Sequence, residues 1–153
     1  MATGNRLIRG YSNVFRVLIW LVVIAYLGQA VLAGQFLSGT YAALRLHQTG
    51  GTASDLILFL AVVIGALLRW HAKGSLWPFW VALGLLVANQ VQNGAGAARL
   101  ISLHIPLGVA MLAIALVAAL AASRGNRLAD SESTIESRPE IKALRTSAWE
   151  PKA

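Results

Sequence analysis

Residues 45–70 read RLHQTGGTASDLILFLAVVIGALLRW, and how this stretch is read decides the membrane topology of the whole chain. Its clean apolar run, from Leu56 to Trp70, has only fifteen residues. A helix rises about 1.5 Å per residue and needs roughly 20 residues to cross a hydrocarbon core. A spanning helix must therefore begin near Arg45, and so must include His47, Gly50, Gly51, Thr52, Ser54 and Asp55. The other reading caps a shorter helix at Thr52 through a Thr-x-x-Asp box and leaves His47 in a loop. The length requirement favours the long helix.

Three more apolar segments flank this one, at about 14–37, 76–94 and 101–122. The first follows a basic start (Arg6, Arg9) and holds Val31-Leu32-Ala33, which has the form of a signal-peptidase site. Its apolar stretch exceeds the roughly 7–15 residues of a signal peptide core, so it is expected to stay as a membrane helix. Pro106 is expected in the first turn of the fourth segment, where its missing N–H costs little. These four segments predict an all-α, integral membrane four-helix bundle, with a short N-terminal stretch at 1–13 ahead of it. The polar stretch 123–153 has mixed charge and no apolar period, and predicts a disordered cytoplasmic tail.

Composition agrees. Of 153 residues, 57% are hydrophobic and 12% charged, about half the charge of an ordinary soluble domain, roughly 25%. That composition argues against a single water-soluble globule. Residues 1–122 contain one carboxylate, Asp55, while the other five acids (Asp130, Glu132, Glu136, Glu140, Glu150) lie in the tail. The pI near 10.9 does not point to nucleic acid, because the bases are scattered at the ends of apolar runs instead of clustered against phosphates. Cysteine is absent, which excludes disulfides, thiolate metal sites, iron–sulfur clusters and covalent haem attachment.

Arg6, Arg9, Arg16, Arg69, Lys73, Arg124 and Arg127 fall on one side of the membrane, and only Arg45 and Arg99 on the other. The positive-inside rule then predicts a multi-pass protein of the cell membrane with both termini cytoplasmic. Trp70, Trp77 and Trp80 gather at the cytoplasmic ends of segments two and three, as an interfacial belt does.

An internal repeat carries the functional signal. Segment two opens with Leu46-His47-Gln48-Thr49-Gly50-Gly51 and segment four with Leu103-His104-Ile105-Pro106-Leu107-Gly108, both Leu-His-x-x-x-Gly. The helices before them also align, Gln29 to Gly34 with Asn89 to Gly94. Two repeated helical hairpins related by an axis along the membrane normal bring His47 and His104 to one depth near the outer face. Two imidazoles on facing helices are a ligand set for haem iron that needs no cysteine. Gly51 and Gly108 lie one turn after the histidines, where a missing side chain can admit a macrocycle edge. Arg45 and Arg99 can pair with haem propionates, and Gln29 and Asn89, with Gln90, Gln92 and Asn93 nearby, are candidate hydrogen-bond partners around the site. His71 has no second histidine on its side and reads as an interfacial residue. Asp55 is open to three readings: a proton acceptor, a partner of Arg45 or Arg99, or a helix cap.

These residues resemble one half of the heme A synthase family, a four-helix bundle with a histidine near the outer start of its second and fourth helices that together ligate a b-type haem. The same placement occurs in small four-helix bacterial membrane proteins, and the similarity covers about residues 14–122. The resemblance implies the fold and one bis-histidine haem b held by His47 and His104. The chain holds one half where that family has two. It has Ala43, Leu44 and Arg45 where the family has a glutamate before the first histidine, and it lacks the cysteine pair. These differences set the oxygenase activity apart. The expected function is electron transfer from a membrane donor such as quinol to an extracytoplasmic acceptor, and not catalysis by a complete heme A synthase. The competing expectations are a cofactor-free accessory or scaffold subunit in a homo- or hetero-oligomer, and a quinone- or proton-handling protein centred on Asp55.

Overall fold

A computed structural model describes residues 2–136 and 138–140, with side chains described over 4–125 and 138–140. Four helices follow in order: α1 (Ala2–Leu37), α2 (Ala42–Ala66), α3 (Trp77–Ala97) and α4 (Ile101–Glu136), with a π-helical turn, Leu67–His71, closing α2. No strand occurs among the described residues. α1 packs on α2 and α4, and α3 packs on α2 and α4, so the helices form an antiparallel ring with α2 and α4 on one diagonal. The α1–α2 and α3–α4 turns lie at one end of the bundle, the hairpin end. The N-terminus and the α2–α3 turn lie at the other.

Each turn is set by one residue in the left-handed region. After α1 it is Gly39, φ 98°, and the Thr40 N–H closes back on the Gln35 carbonyl at 3.0 Å, a Schellman-type ending. After α3 it is Arg99, φ 59°, with the Leu100 N–H on the Ala95 carbonyl at 2.9 Å. After the π-turn it is Lys73, φ 58°, and the Gly74 N–H reaches the Leu68 carbonyl at 2.8 Å. Pro78 then sits in the first turn of α3, where no donor is needed.

Three helices are long and apolar enough to cross a membrane: Gly4–Leu37, Ala42–His71 and Ile101–Gly125. In their most apolar windows only 22%, 28% and 28% of the residues are buried inside the protein. Side chains such as Ile24, Leu56, Val109 and Val117 stand exposed. Water would penalise such a surface heavily and lipid does not, so the molecule is an integral membrane bundle. α3, with 21 residues, is long enough to span. Its hydropathy is lowered by Asn89, Gln90, Gln92 and Asn93, which it uses for contacts to its neighbours.

The apolar core joins Phe15, Ile19, Val22 and Val23 of α1 with Leu58 and Ala61, Ala82 and Leu85, and Met111, Ala115 and Ala119. Alanine at so many inner positions lets helices approach closely, the packing that drives association where lipid is as apolar as the side chains. Above this core, toward the hairpin end, comes a polar layer around Asp55 and Asn89, then a layer around His47 and His104.

The long form of segment two is the one observed. α2 is helical from Ala42, and the Thr52 hydroxyl bonds to the Gln48 carbonyl within the helix at 3.3 Å instead of capping it. Several bounds differ from the hydropathy pattern. α1 includes residues 2–13, because nothing in that polar stretch breaks a helix already nucleated downstream. Pro106 lies in the second turn of α4 and not the first, since the helix starts at Ile101. α4 continues as helix past Ala122 to Glu136. Residues 137 and 141–153, the remainder of the expected disordered tail, lie outside the described residues.

Candidate functional site

His47 and His104 meet across the α2–α4 diagonal at the hairpin end, their ring centroids 5.9 Å apart and their planes at 66°. Both are half-buried. Each is tied to the helix before it in the same way. Nδ1 of His47 bonds to the Gln29 carbonyl of α1 at 3.0 Å, and Nδ1 of His104 to the Gln92 carbonyl of α3 at 3.0 Å. A carbonyl only accepts, so Nδ1 must donate in both rings, and in the neutral imidazole the lone pair then sits on Nε2. No hydrogen bond among the described residues reaches either Nε2. Histidines that bind metals are prepared in this way, with the second ring nitrogen donating to a carbonyl that fixes the tautomer.

α3 holds His104 more tightly than this one bond suggests. The Gln92 side chain donates from Nε2 to the His104 carbonyl at 2.8 Å, so one residue grips both the ring and the backbone. Gly96, one turn further along α3, leaves room for the ring: a Cβ there would lie 3.0 Å from Cε1 and 3.1 Å from Nδ1 of His104.

The glycines beside the histidines face carboxamides. A Cβ on Gly51 would meet Asn93 Oδ1 at 2.9 Å, and one on Gly108 would meet Gln92 Nε2 at 2.8 Å. A Cβ on Gly50 would collide with the Gln29 amide. The small residues therefore admit amide side chains from the adjacent helix. Gln92 Oε1 is buried with no donor, a cost of about 1–3 kcal/mol for such a group.

The expected alignment of Gln29 with Asn89 is off by almost one turn. The residue matching Gln29 in its contact to histidine is Gln92, while Asn89 touches neither ring. It is 3% exposed, donates to Asp55 Oδ1 at 2.7 Å and to the Gly51 carbonyl at 3.2 Å, and accepts from the Tyr26 hydroxyl at 3.2 Å. Asp55 also accepts from Gln90 Nε2 at 2.7 Å and Asn93 Nδ2 at 3.3 Å. It pairs with neither Arg45 nor Arg99, and it caps no helix. Those two arginines are exposed at the hairpin end, Arg45 at the start of α2 and Arg99 in the α3–α4 turn. At the opposite end His71 has a partner that the sequence did not suggest, the Tyr11 hydroxyl 3.0 Å from its Nδ1.

Among the described residues no group of three or more histidine, cysteine, aspartate or glutamate side chains gathers as a metal site. Two imidazoles fall short of the three or four protein ligands a bare zinc or similar ion takes. They suffice for a metal that brings its own equatorial nitrogens, as haem does. The 5.9 Å between ring centroids is an ordinary spacing for two rings in edge contact and is also near the roughly 6 Å of two imidazoles that share one ion at metal–nitrogen distances of about 2 Å.

No protein-family model, curated protein or solved structure matches this chain.

Proposed function

We propose that this protein is a small membrane cytochrome of b type, holding one haem between His47 and His104 at the hairpin end of the bundle. The observation that carries the reading is the pair of imidazoles, each anchored to a carbonyl through Nδ1, with both Nε2 atoms free and the rings at a spacing suited to axial ligation. It extends the resemblance to one half of a heme A synthase. Gln29, Gln92 and Asn93 side chains occupy the space over Gly50, Gly108 and Gly51, so these flexible amides must turn aside to admit a macrocycle. Arg45 and Arg99 are exposed at the same end and would pair with its propionates in the headgroup region.

When bound, the haem supplies a one-electron couple. Two histidine ligands from the protein would leave the iron no open position for oxygen, which favours electron transfer over oxygenase chemistry. By the positive-inside rule the imbalance of bases favours cytoplasmic termini, which would set the histidine layer toward the outer face, between a membrane donor such as quinol and an extracytoplasmic acceptor.

The test is the absorption spectrum of the purified full-length protein, expressed with haem supplementation. The wild type is expected to show Soret and α bands of a low-spin b-type haem. His47→Ala and His104→Ala are each expected to abolish the low-spin spectrum while leaving the far-UV helical signal intact. A colourless wild type would sink the reading and leave a cofactor-free accessory subunit or a quinone- or proton-handling protein centred on Asp55.

A further inference from the structure

We propose that Asp55 is the hydrogen-bond and proton acceptor of a lipid-facing site between α2 and α3 for a quinol, a hydroxylated aromatic head with an apolar tail. Binding at this site stands on the geometry of Asp55 alone, while the destination of the electrons rests on the haem reading above.

The carboxylate is unevenly used. Oδ1 accepts two short bonds, from Asn89 and Gln90, each 2.7 Å, whereas Oδ2 accepts one long bond, 3.3 Å, from Asn93. An ionised carboxylate offers about four acceptor positions, so Oδ2 keeps capacity for a stronger donor. Asp55 is half-buried and Gln90 is exposed, so this polar spot opens on the lipid side of the α2–α3 seam. One turn deeper, Phe59 on α2 and Val87 on α3 are 55% and 56% exposed, which continues the spot into an apolar strip toward the bilayer centre. An ionisable group at such a place is costly unless something polar covers it.

The chemistry of the spot selects the occupant. The three amide nitrogens point at the carboxylate, so their oxygens are turned away and do not form a cage for a cation. An anion is repelled by Asp55. A neutral phenolic O–H donates to Oδ2 without bringing a second charge into the hydrocarbon, where a lipophilic ammonium would pay a far larger desolvation cost. The other titratable group facing this cluster is Tyr26 of α1, which reaches it through Asn89.

Asp55 lies eight residues along α2 from His47, about 12 Å of helix. Oxidation of one quinol breaks two O–H bonds and releases two protons and two electrons, leaving the quinone. The protons leave one after the other through the Asp55 carboxylate toward the polar hairpin end. With a haem held by His47 and His104, the two electrons would pass to it one at a time, the first moving on to the extracytoplasmic acceptor, or to a second copy of the protein, before the second arrives.

The probe is decylubiquinol, added anaerobically to the purified full-length protein in detergent, with binding read by calorimetry and ferric haem reduction by absorbance. Asp55→Asn is expected to weaken binding about tenfold, the scale of a lost hydrogen bond to a charged acceptor. It should slow haem reduction at least as much, while Soret position and the fraction of haem reducible by dithionite stay unchanged. Gln90→Leu, at the exposed rim, serves if Asp55→Asn does not fold, and is expected to weaken binding about threefold. A wild type that binds no decylubiquinol, or variants that bind it as the wild type does, would overturn the proposal. A protein without haem refutes the cytochrome reading, and the calorimetric comparison still decides the Asp55 site.

Discussion

Asn89 is the side chain on which the polar interior turns, since its amide serves Asp55, the Gly51 carbonyl and the Tyr26 hydroxyl at once. Asn89→Leu keeps the branching of the side chain and removes all three bonds; Asp55 retains Gln90 and Asn93, while the buried Tyr26 hydroxyl loses its acceptor, at about 1–3 kcal/mol for such a group. A clear fall in the thermal midpoint of the detergent-solubilised protein is the expected result. An unchanged midpoint would mean that Asp55 and Tyr26 find other donors and acceptors. At this scale the histidine pair was legible from the duplicated Leu-His-x-x-x-Gly pattern, and so was the concentration of amides at 89–93. Which amide served which partner was not. Successive residues on a helix differ in direction by about 100°, so the three-residue offset between Asn89 and Gln92 separates a partner of Asp55 from an anchor of His104.

Between elements, α2 and α3 meet backbone to backbone at Gly65. A Cβ on Gly65 would lie 2.7 Å from the Phe79 Cα and 2.8 Å from its nitrogen, and backbone cannot swing away as a side chain can. Gly65→Ala must therefore push α3 off α2, with an overpacking cost of about 1–3 kcal/mol. Gly84→Ala meets nothing within 4 Å, so it is expected to be neutral or to stabilise by up to about 1 kcal/mol through helix propensity. Thermal unfolding of the two variants side by side tests this opposition in sign, and equal shifts would refute it. Hydropathy located all four helices but misplaced several ends. It registers the transfer of side chains to lipid, whereas helix ends depend on backbone hydrogen bonds and on left-handed residues such as Lys73 and Arg99, which carry no sequence mark comparable to Gly39.

For the whole molecule, the distribution of bases makes a testable prediction of orientation. The end holding the N-terminus and the α2–α3 turn carries Arg6, Arg9, Arg16, Arg69, Lys73 and Arg124, against Arg45 and Arg99 at the hairpin end. The chain has no cysteine of its own, so single substitutions report cleanly. Ser38→Cys, in the α1–α2 turn, is expected to react with a membrane-impermeant maleimide in intact cells. Ser75→Cys, in the α2–α3 turn, should react only after permeabilisation. The reverse pattern would place the histidine layer on the cytoplasmic side and remove the extracytoplasmic acceptor from the proposed function. The sequence by itself determined that the chain is a membrane-embedded helical bundle and that two histidines stand out in it, because hydrophobicity and residue type are properties of the residues alone. Only the tertiary structure decided that those histidines meet on a diagonal with Nε2 free, that the glycines beside them receive amides, and that Asp55 is held by three carboxamides and not by arginine. These outcomes depend on how each helix is rotated about its axis, and that rotation is set by packing against all of its neighbours at once.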